Sequence, residues 1–235
     1  MQPTRIIGIE TSSRTGSVAL AEGADVLAEA EFSTQTQHAR ELLPSLEALY
    51  AQVGWPKGEA DLCAVSIGPG SFTGLRVAVT FARHLALARA IKIVAVPTLA
   101  VIAENCAALT PPPSPLAVIL DAKRNQVFAA VFEWRESNYQ MIEPAHLTTV
   151  HDLLSHRGAS ISVTGEGIDY HAEPLAATGA RLIDKNLWTP RAASVCRLGS
   201  ALALAGTLTA PRDLVPLYIR RPEAEELWEK RQSAT

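Results

Sequence analysis

Cysteine is scarce in this chain: only Cys63, Cys106 and Cys196 occur, widely spaced and without a CxxC pair. An odd, scattered set argues against a disulfide-framed scaffold and fits buried, reduced thiols. Excess positive charge is also missing, since 21 Lys and Arg stand against 24 Asp and Glu, for a formal net charge of -3. A protein that grips a nucleic-acid backbone unaided usually carries a basic face, so this balance argues against autonomous RNA binding. Long apolar runs are absent as well. The most apolar stretch, 85–109, is broken by Arg89, Lys92, Pro97 and Glu104, short of the roughly 20 uninterrupted apolar residues of a membrane span. The first residues run straight into a strand pattern with no charged-then-apolar leader. The expectation is a soluble, cytoplasmic protein with no membrane association.

Several catalytic signatures are missing too. There is no HExxH and no GxSxG, and the glycine-rich turns lack the Lys-Ser/Thr ending of a P-loop. His151 and His156 are five apart, so they point to different helix faces and read as solvated surface residues.

What the sequence has is apolar material and α/β alternation. Of its 235 residues 48% are hydrophobic and 19% charged, enough for one large domain or two lobes of ordinary size. Strand patterns at 5–10, 17–21 and 26–32 form a β-meander, followed by a helix carrying Leu42, Leu43, Leu46, Leu49, Tyr50 and Val53. Pro44 belongs in the first turn of that helix or at a kink. A buried strand at 62–67 feeds a tight turn, with Ser71 and Thr73 as candidate N-caps for a helix over 74–90. A strand at 93–96 and a helix from Pro97 through Cys106 come next.

Four prolines within 110–115 mark a stiff, extended linker and the domain boundary, giving lobes 1–110 and 111–235. Beyond it the pattern restarts with strands at 116–120 and 126–132 around a polar turn. Each half thus opens with a hairpin whose first strand ends in a carboxylate, Glu10 and Asp121. A duplicated lobe would set these two hairpins facing one cleft. The second half continues with a short helix over 151–157, a strand at 161–164 and an Ala-rich helix over 191–206. A charged helix at 223–231 closes it and is expected to pack back on the first lobe. The class is α/β.

The most specific segment is Gly68-Pro69-Gly70-Ser71-Phe72-Thr73-Gly74-Leu75-Arg76. It combines a strand, a glycine-rich turn and a helix N-terminus, an arrangement that suits either an anion or a plain tight connection. On the following helix, Ala78, Ala82, Ala86 and Ala90 form a narrow strip, with Arg76, Thr80, Arg83 and His84 on the opposite face. The strip either packs on the protein's own sheet or admits a partner backbone.

This segment resembles the GPGSFTGLR signature of the TsaB (YeaZ) family. Ile9-Glu10-Thr11-Ser12, His38-Ala39-Arg40-Glu41-Leu42-Leu43-Pro44, Asp121 to Phe128 and Pro216-Leu217-Tyr218-Ile219-Arg220 resemble its other motifs, in the same order. The resemblance implies a duplicated, two-lobed actin/Hsp70-like (ASKHA, RNase H-like) fold. It implies a role in forming N6-threonylcarbamoyladenosine at position 37 of tRNAs that read codons beginning with adenine. A catalytic paralogue, TsaD, and a P-loop ATPase, TsaE, are the implied partners, with tRNA met through the complex.

Two departures bear on catalysis. Actin-like kinases carry Asp where this chain has Glu10, one methylene longer. The TsaD-like metal site uses two histidines four apart; His38 matches the first, but Leu42 stands at the second. The reading is therefore a subunit with no catalytic residue, metal or cofactor of its own. Glu10, Thr11, Ser12, Gly68, Gly70, Ser71 and Asp121 line a vestigial nucleotide cleft. His38, Leu42, Leu43, Leu46, Leu49, Arg76, Ala78, Ala82 and Arg83 are the expected partner surface, open to homodimer pairing when the partner is absent. The alternatives are an ATP-dependent phosphotransferase or ATPase of the same superfamily and, on an older family name alone, a metallopeptidase.

Overall fold

The computed structural model describes residues 4–33, 38–155, 157 and 160–220. The first half holds β1 (Arg5–Glu10), β2 (Thr15–Glu22), β3 (Asp25–Ser33), α1 (His38–Val53), β4 (Leu62–Ser66), α2 (Phe72–Arg89), β5 (Lys92–Val96) and α3 (Thr98–Asn105). The second holds β6 (Leu116–Asp121), β7 (Val127–Arg135), β8 (Asn138–Thr148), α4 (Val150–Leu154), β9 (Ser162–Thr164), α5 (Gly167–Tyr170), α6 (Ala172–Ala176), β10 (Arg181–Leu182) and α7 (Ala192–Leu204), with a 3-10 turn at Lys185–Leu187.

The strands form two five-stranded sheets of the same plan. One runs β3-β2-β1-β4-β5 and the other β8-β7-β6-β9-β10. In both, the opening strand pairs antiparallel with the next (Glu10 opposite Ser17, Asp121 opposite Val127) and parallel with the later one. The expected duplication is therefore present at the level of topology. Central strands such as Leu62–Ser66 are buried throughout, which is why they read as continuous apolar runs rather than alternating ones.

Helix placement crosses between the halves. On the first sheet, Ile7, Ile9, Val18 and Leu20 face α1 and α2, while Ile6, Ala19 and Ala64 face α7. On the second sheet, Ile119 and Ala129 face α4 and α5, while Val118, Leu120 and Phe132 face α3. Each half of the chain thus lends one helix to the inner face of the other sheet. Gly8 allows this closeness: a Cβ there would lie 2.6 Å from the Ala192 carbonyl oxygen and 2.5 Å from Cys196 Sγ.

Of the two places expected for Pro44, the first turn is excluded, since it is the seventh residue of α1 as described; the burial of Leu42 and Leu46 on either side holds the helix across the lost donor. The 110–115 stretch forms neither helix nor strand, and within it Pro113 is buried with its carbonyl accepting from the Tyr139 hydroxyl at 3.1 Å. The expected partner surface needs correction. Leu42, Leu46, Leu49, Ala78 and Ala82 are at most 3% exposed and belong to the core under α1 and α2. Ala78, Ala82 and Ala86 of the alanine strip pack in the protein's own core, as small residues do where a helix approaches a sheet closely, while Ala90 is exposed past the helix end. The 223–231 helix and His156 lie outside the described residues, as does the side chain of His38.

Candidate functional site

The signature segment sits where β4 hands over to α2. Ser71 caps the helix, its Oγ accepting from Gly74 N–H at 3.3 Å. The turn between β1 and β2 closes on it: Ser71 N–H donates to the Ser12 carbonyl at 2.6 Å, and Thr11 Oγ1 donates to the Gly74 carbonyl at 2.8 Å. A Cβ on Gly74 would lie 1.8 Å from the Thr11 carbonyl oxygen, and one on Gly70 would lie 2.4 Å from that of Ser12. These glycines are therefore required by backbone meeting backbone. Ser12 O and Ser71 Oγ thus occupy two of the amides, those of Ser71 and Gly74, that an anion would take at this helix end.

Glu10 lies beneath this junction, fully buried. One carboxylate oxygen accepts from Ser12 N–H; the other, Oε2, has no hydrogen-bond partner among the described residues, nor has Ser12 Oγ. Desolvation pushes the Glu10 pKa up, opposed in part by the hydrogen bond from the Ser12 amide. Thr11, Ser12, Gly68, Gly70 and Ser71 are thus brought together around Glu10, in a sealed junction. Asp121 belongs to the corresponding corner of the other sheet, where its Oδ1 lies 3.3 Å from Nε2 of the buried His171 and accepts from Lys123 N–H at 3.2 Å. Nearby Glu166 is raised by burial, helped by Asp121 and Asp169 and opposed by Arg14. Arg14, from the first sheet's hairpin, also donates to the Tyr170 hydroxyl at 2.9 Å, joining the two corners.

A second feature opens on the outer side of the first sheet. A groove of about 520 Å³ runs between α1 and α2, lined by Ala39, Leu42, Leu43, Phe72, Thr73, Arg76, Val77, Thr80, Phe81 and His84. Leu43 is 51% and Phe72 40% exposed, an apolar surface of the kind that marks an interaction site. Of the expected partner surface, Leu43 and Arg76 remain accessible. Arg83 instead donates to the Pro211 and Arg212 carbonyls at 2.8 and 2.9 Å.

Residues 207–220 strap these regions together, which sequence reasoning did not foresee. Thr209 N–H donates to Ile93 O at 2.8 Å on the β5 edge, and Leu217 N–H donates to Ile67 O at 2.7 Å. Tyr218 stacks on Phe72 at 5.2 Å, its hydroxyl accepting from Arg76 Nε at 3.2 Å, and the Arg76 guanidinium lies 3.8 Å from the Phe72 ring centre. Arg220 reaches the opposite lobe, donating to the Ala122 carbonyl and Gln126 Oε1. The only signal for this was the Pro-Leu-Tyr-Ile-Arg motif itself.

Two sheets of one plan, each opening with a hairpin and exchanging inner helices, define a two-lobed protein of the actin/Hsp70-like class. The model for TsaD, tRNA N6-adenosine threonylcarbamoyltransferase, matches residues 26–228. The TsaB biosynthesis protein of Bacillus subtilis is 27% identical over 95% of this chain and 97% of its own length. That of Escherichia coli is 25% identical over 96% and 97%. The solved structure of YeaZ from Pseudomonas aeruginosa superimposes with a TM-score of 0.80 at 22% identity, covering 92% of this chain and 99% of that one. The chain belongs to the tRNA N6-adenosine threonylcarbamoyltransferase family, among its TsaB (YeaZ) members.

Proposed function

We propose that this chain is a non-catalytic subunit of the machinery that forms N6-threonylcarbamoyladenosine in tRNA, holding a TsaD-like catalytic paralogue through the α1/α2 groove. The TsaB relatives are named for biosynthesis of that nucleoside. The observation that carries the non-catalytic reading is the occupied helix-end amides, Ser71 N–H on Ser12 O and Gly74 N–H on Ser71 Oγ, with Glu10 buried below. An actin-like phosphate site needs those donors open and a solvated carboxylate beside them. The groove supports the pairing, since Leu43 and Phe72 offer apolar surface with Arg76, Thr80 and His84 at hand. In this reading the lobes divide near residue 110, each lending a helix to the other. The TsaE-like ATPase joins the complex, which supplies the contact with tRNA.

The test is reconstitution with a TsaD homologue and a TsaE homologue on unmodified tRNA. Modification is expected to require this chain. Leu43→Asp and Thr80→Arg are each expected to remove paralogue binding and modification together while leaving the melting curve unchanged. Glu10→Gln is expected to leave modification within several-fold, whereas loss of a general base costs roughly 10²–10⁴-fold. A loss of that size in folded, paralogue-bound Glu10→Gln would make the chain an enzyme.

A further inference from the structure

The turn between β6 and β7 is built on an unfavourable backbone and is gripped from a distant part of the chain. Lys123, Arg124 and Asn125 have φ of 59°, 54° and 59°. These are three successive non-glycine residues in the left-handed region, where a side chain costs energy. A tight hairpin turn needs only two such residues, as Glu136 and Ser137 supply between β7 and β8. Conformations of this kind persist where the surroundings fix them. Within the turn, Asp121 Oδ1 accepts from Lys123 N–H at 3.2 Å. Arg220 binds both flanks, donating to the Ala122 carbonyl and to Gln126 Oε1. Arg220 stands two residues after Tyr218, whose ring stacks on groove-lining Phe72 and whose hydroxyl accepts from Arg76 Nε. The backbone leading into this pair is fixed: Leu217 N–H donates to Ile67 O at 2.7 Å, and Leu217 O would lie 2.9 Å from a Cβ on Gly68.

We propose that Tyr218 and Arg220 couple the α1/α2 groove to the β6–β7 turn of the opposite lobe, so that a partner subunit seated over Phe72 and Tyr218 tightens the hold of Arg220 on that turn. Only about 7 Å of extended chain separates the two residues, so a Tyr218 that lifts from Phe72 draws Arg220 with it. Phe72 and Tyr218 are 40% and 39% exposed. A partner covering the stacked pair gains apolar burial that the separated pair does not offer, and this differential affinity is what shifts the equilibrium. The turn starts at Asp121, which faces His171 Nε2 at 3.3 Å. Docking on the outer side of one sheet thus steadies a polar corner of the other. The partner's effect rests on the reading of the groove as the partner surface; the coupling within the free chain does not.

The experiment is hydrogen exchange, read by mass spectrometry on the full chain. The amides that report are those of the 122–126 turn, where Ala122 N–H donates to Gln126 O and Gln126 N–H to Lys123 O. The 135–138 turn of the same lobe is the control. Arg220→Ala is expected to speed exchange of the first turn about tenfold. Tyr218→Ala and Phe72→Ala, two independent breaks of one stack, are each expected to speed it at least about threefold. The control turn should not change in any of them. Tyr218→Phe keeps the ring and is expected to exchange like the parent. Exchange in Tyr218→Ala and Phe72→Ala equal to the parent's would overturn the coupling. In a second arm, a saturating TsaD homologue is expected to slow the first turn about fivefold in the parent. Arg220→Ala should still bind that homologue and show no slowing. No slowing in the parent, or equal slowing in both chains, would overturn the strap as the route. If Leu43→Asp leaves paralogue binding intact while Tyr218→Ala still loosens the turn, the partner-surface reading fails and the coupling stands.

Discussion

Glu10 shows how a single buried carboxyl couples the fold to pH. Its burial at the end of β1 raises its pKa from an ordinary value of 4.5, so the folded chain holds a proton that the unfolded chain releases. The stability this group contributes is fully present below the unfolded pKa and is lost as pH rises through the folded one. Glu10→Gln keeps an oxygen to accept from Ser12 N–H but removes the charge. It is expected to melt higher than the parent at pH 8, the gap closing as pH falls toward about 4.5. Thermal melts across that range check this; a pH-independent gap would assign the effect to packing instead. The carboxyl itself was legible in the sequence as the end of the first strand. Its isolation was not, because burial is decided by the Gly70–Gly74 turn folding over it from 60 residues away.

Within α2 two faces have opposite duties. Ala78 and Ala82 are fully buried against the sheet, whereas Thr80 is exposed at the groove. Ala82→Arg would force a guanidinium into that core, with a cost of more than about 4 kcal/mol. It is expected to abolish the cooperative melt seen by circular dichroism. Thr80→Arg, one turn face away, is expected to shift stability by less than about 0.5 kcal/mol. An Ala82→Arg protein that melts like the parent would mean that the strip faces outward after all. Helical spacing located this strip correctly but could not say what covers it, since a narrow row of alanines suits a sheet and a partner helix equally. The long strand β8 escaped sequence reading for a related reason. Its Met141 and Ile142 are exposed and its outward residues mostly polar, so no buried run marked it.

Across the molecule, the two sheets are tied through the exchanged helices. Asn105 at the end of α3 donates to the Leu187 and Thr189 carbonyls at 3.2 and 2.7 Å and accepts from Ser194 Oγ of α7 at 2.8 Å. Asn105→Ala strips partners from this buried set, each unsatisfied group costing about 1–3 kcal/mol. A loss of about 2–4 kcal/mol is expected in urea unfolding. Both lobes should unfold in one transition, because α3 covers the second sheet and α7 the first. Two separated transitions, only one of them shifted by Asn105→Ala, would show that the lobes fold independently.

The sequence by itself determined the strands with unbroken apolar runs, a capped start of α2 at Ser71 or Thr73, the duplicated hairpins and the signature that carries the family. These depend on local periodicity, on glycine and serine at a turn, and on a repeated order of elements, all written along the chain. Only the tertiary structure decided that the signature glycines admit the protein's own backbone, that the leucines of α1 are mostly core, and that α3 and α7 change sides. Those outcomes rest on contacts between residues far apart in the chain, where the same pattern of apolar and small side chains is satisfied by several neighbours and only packing selects one.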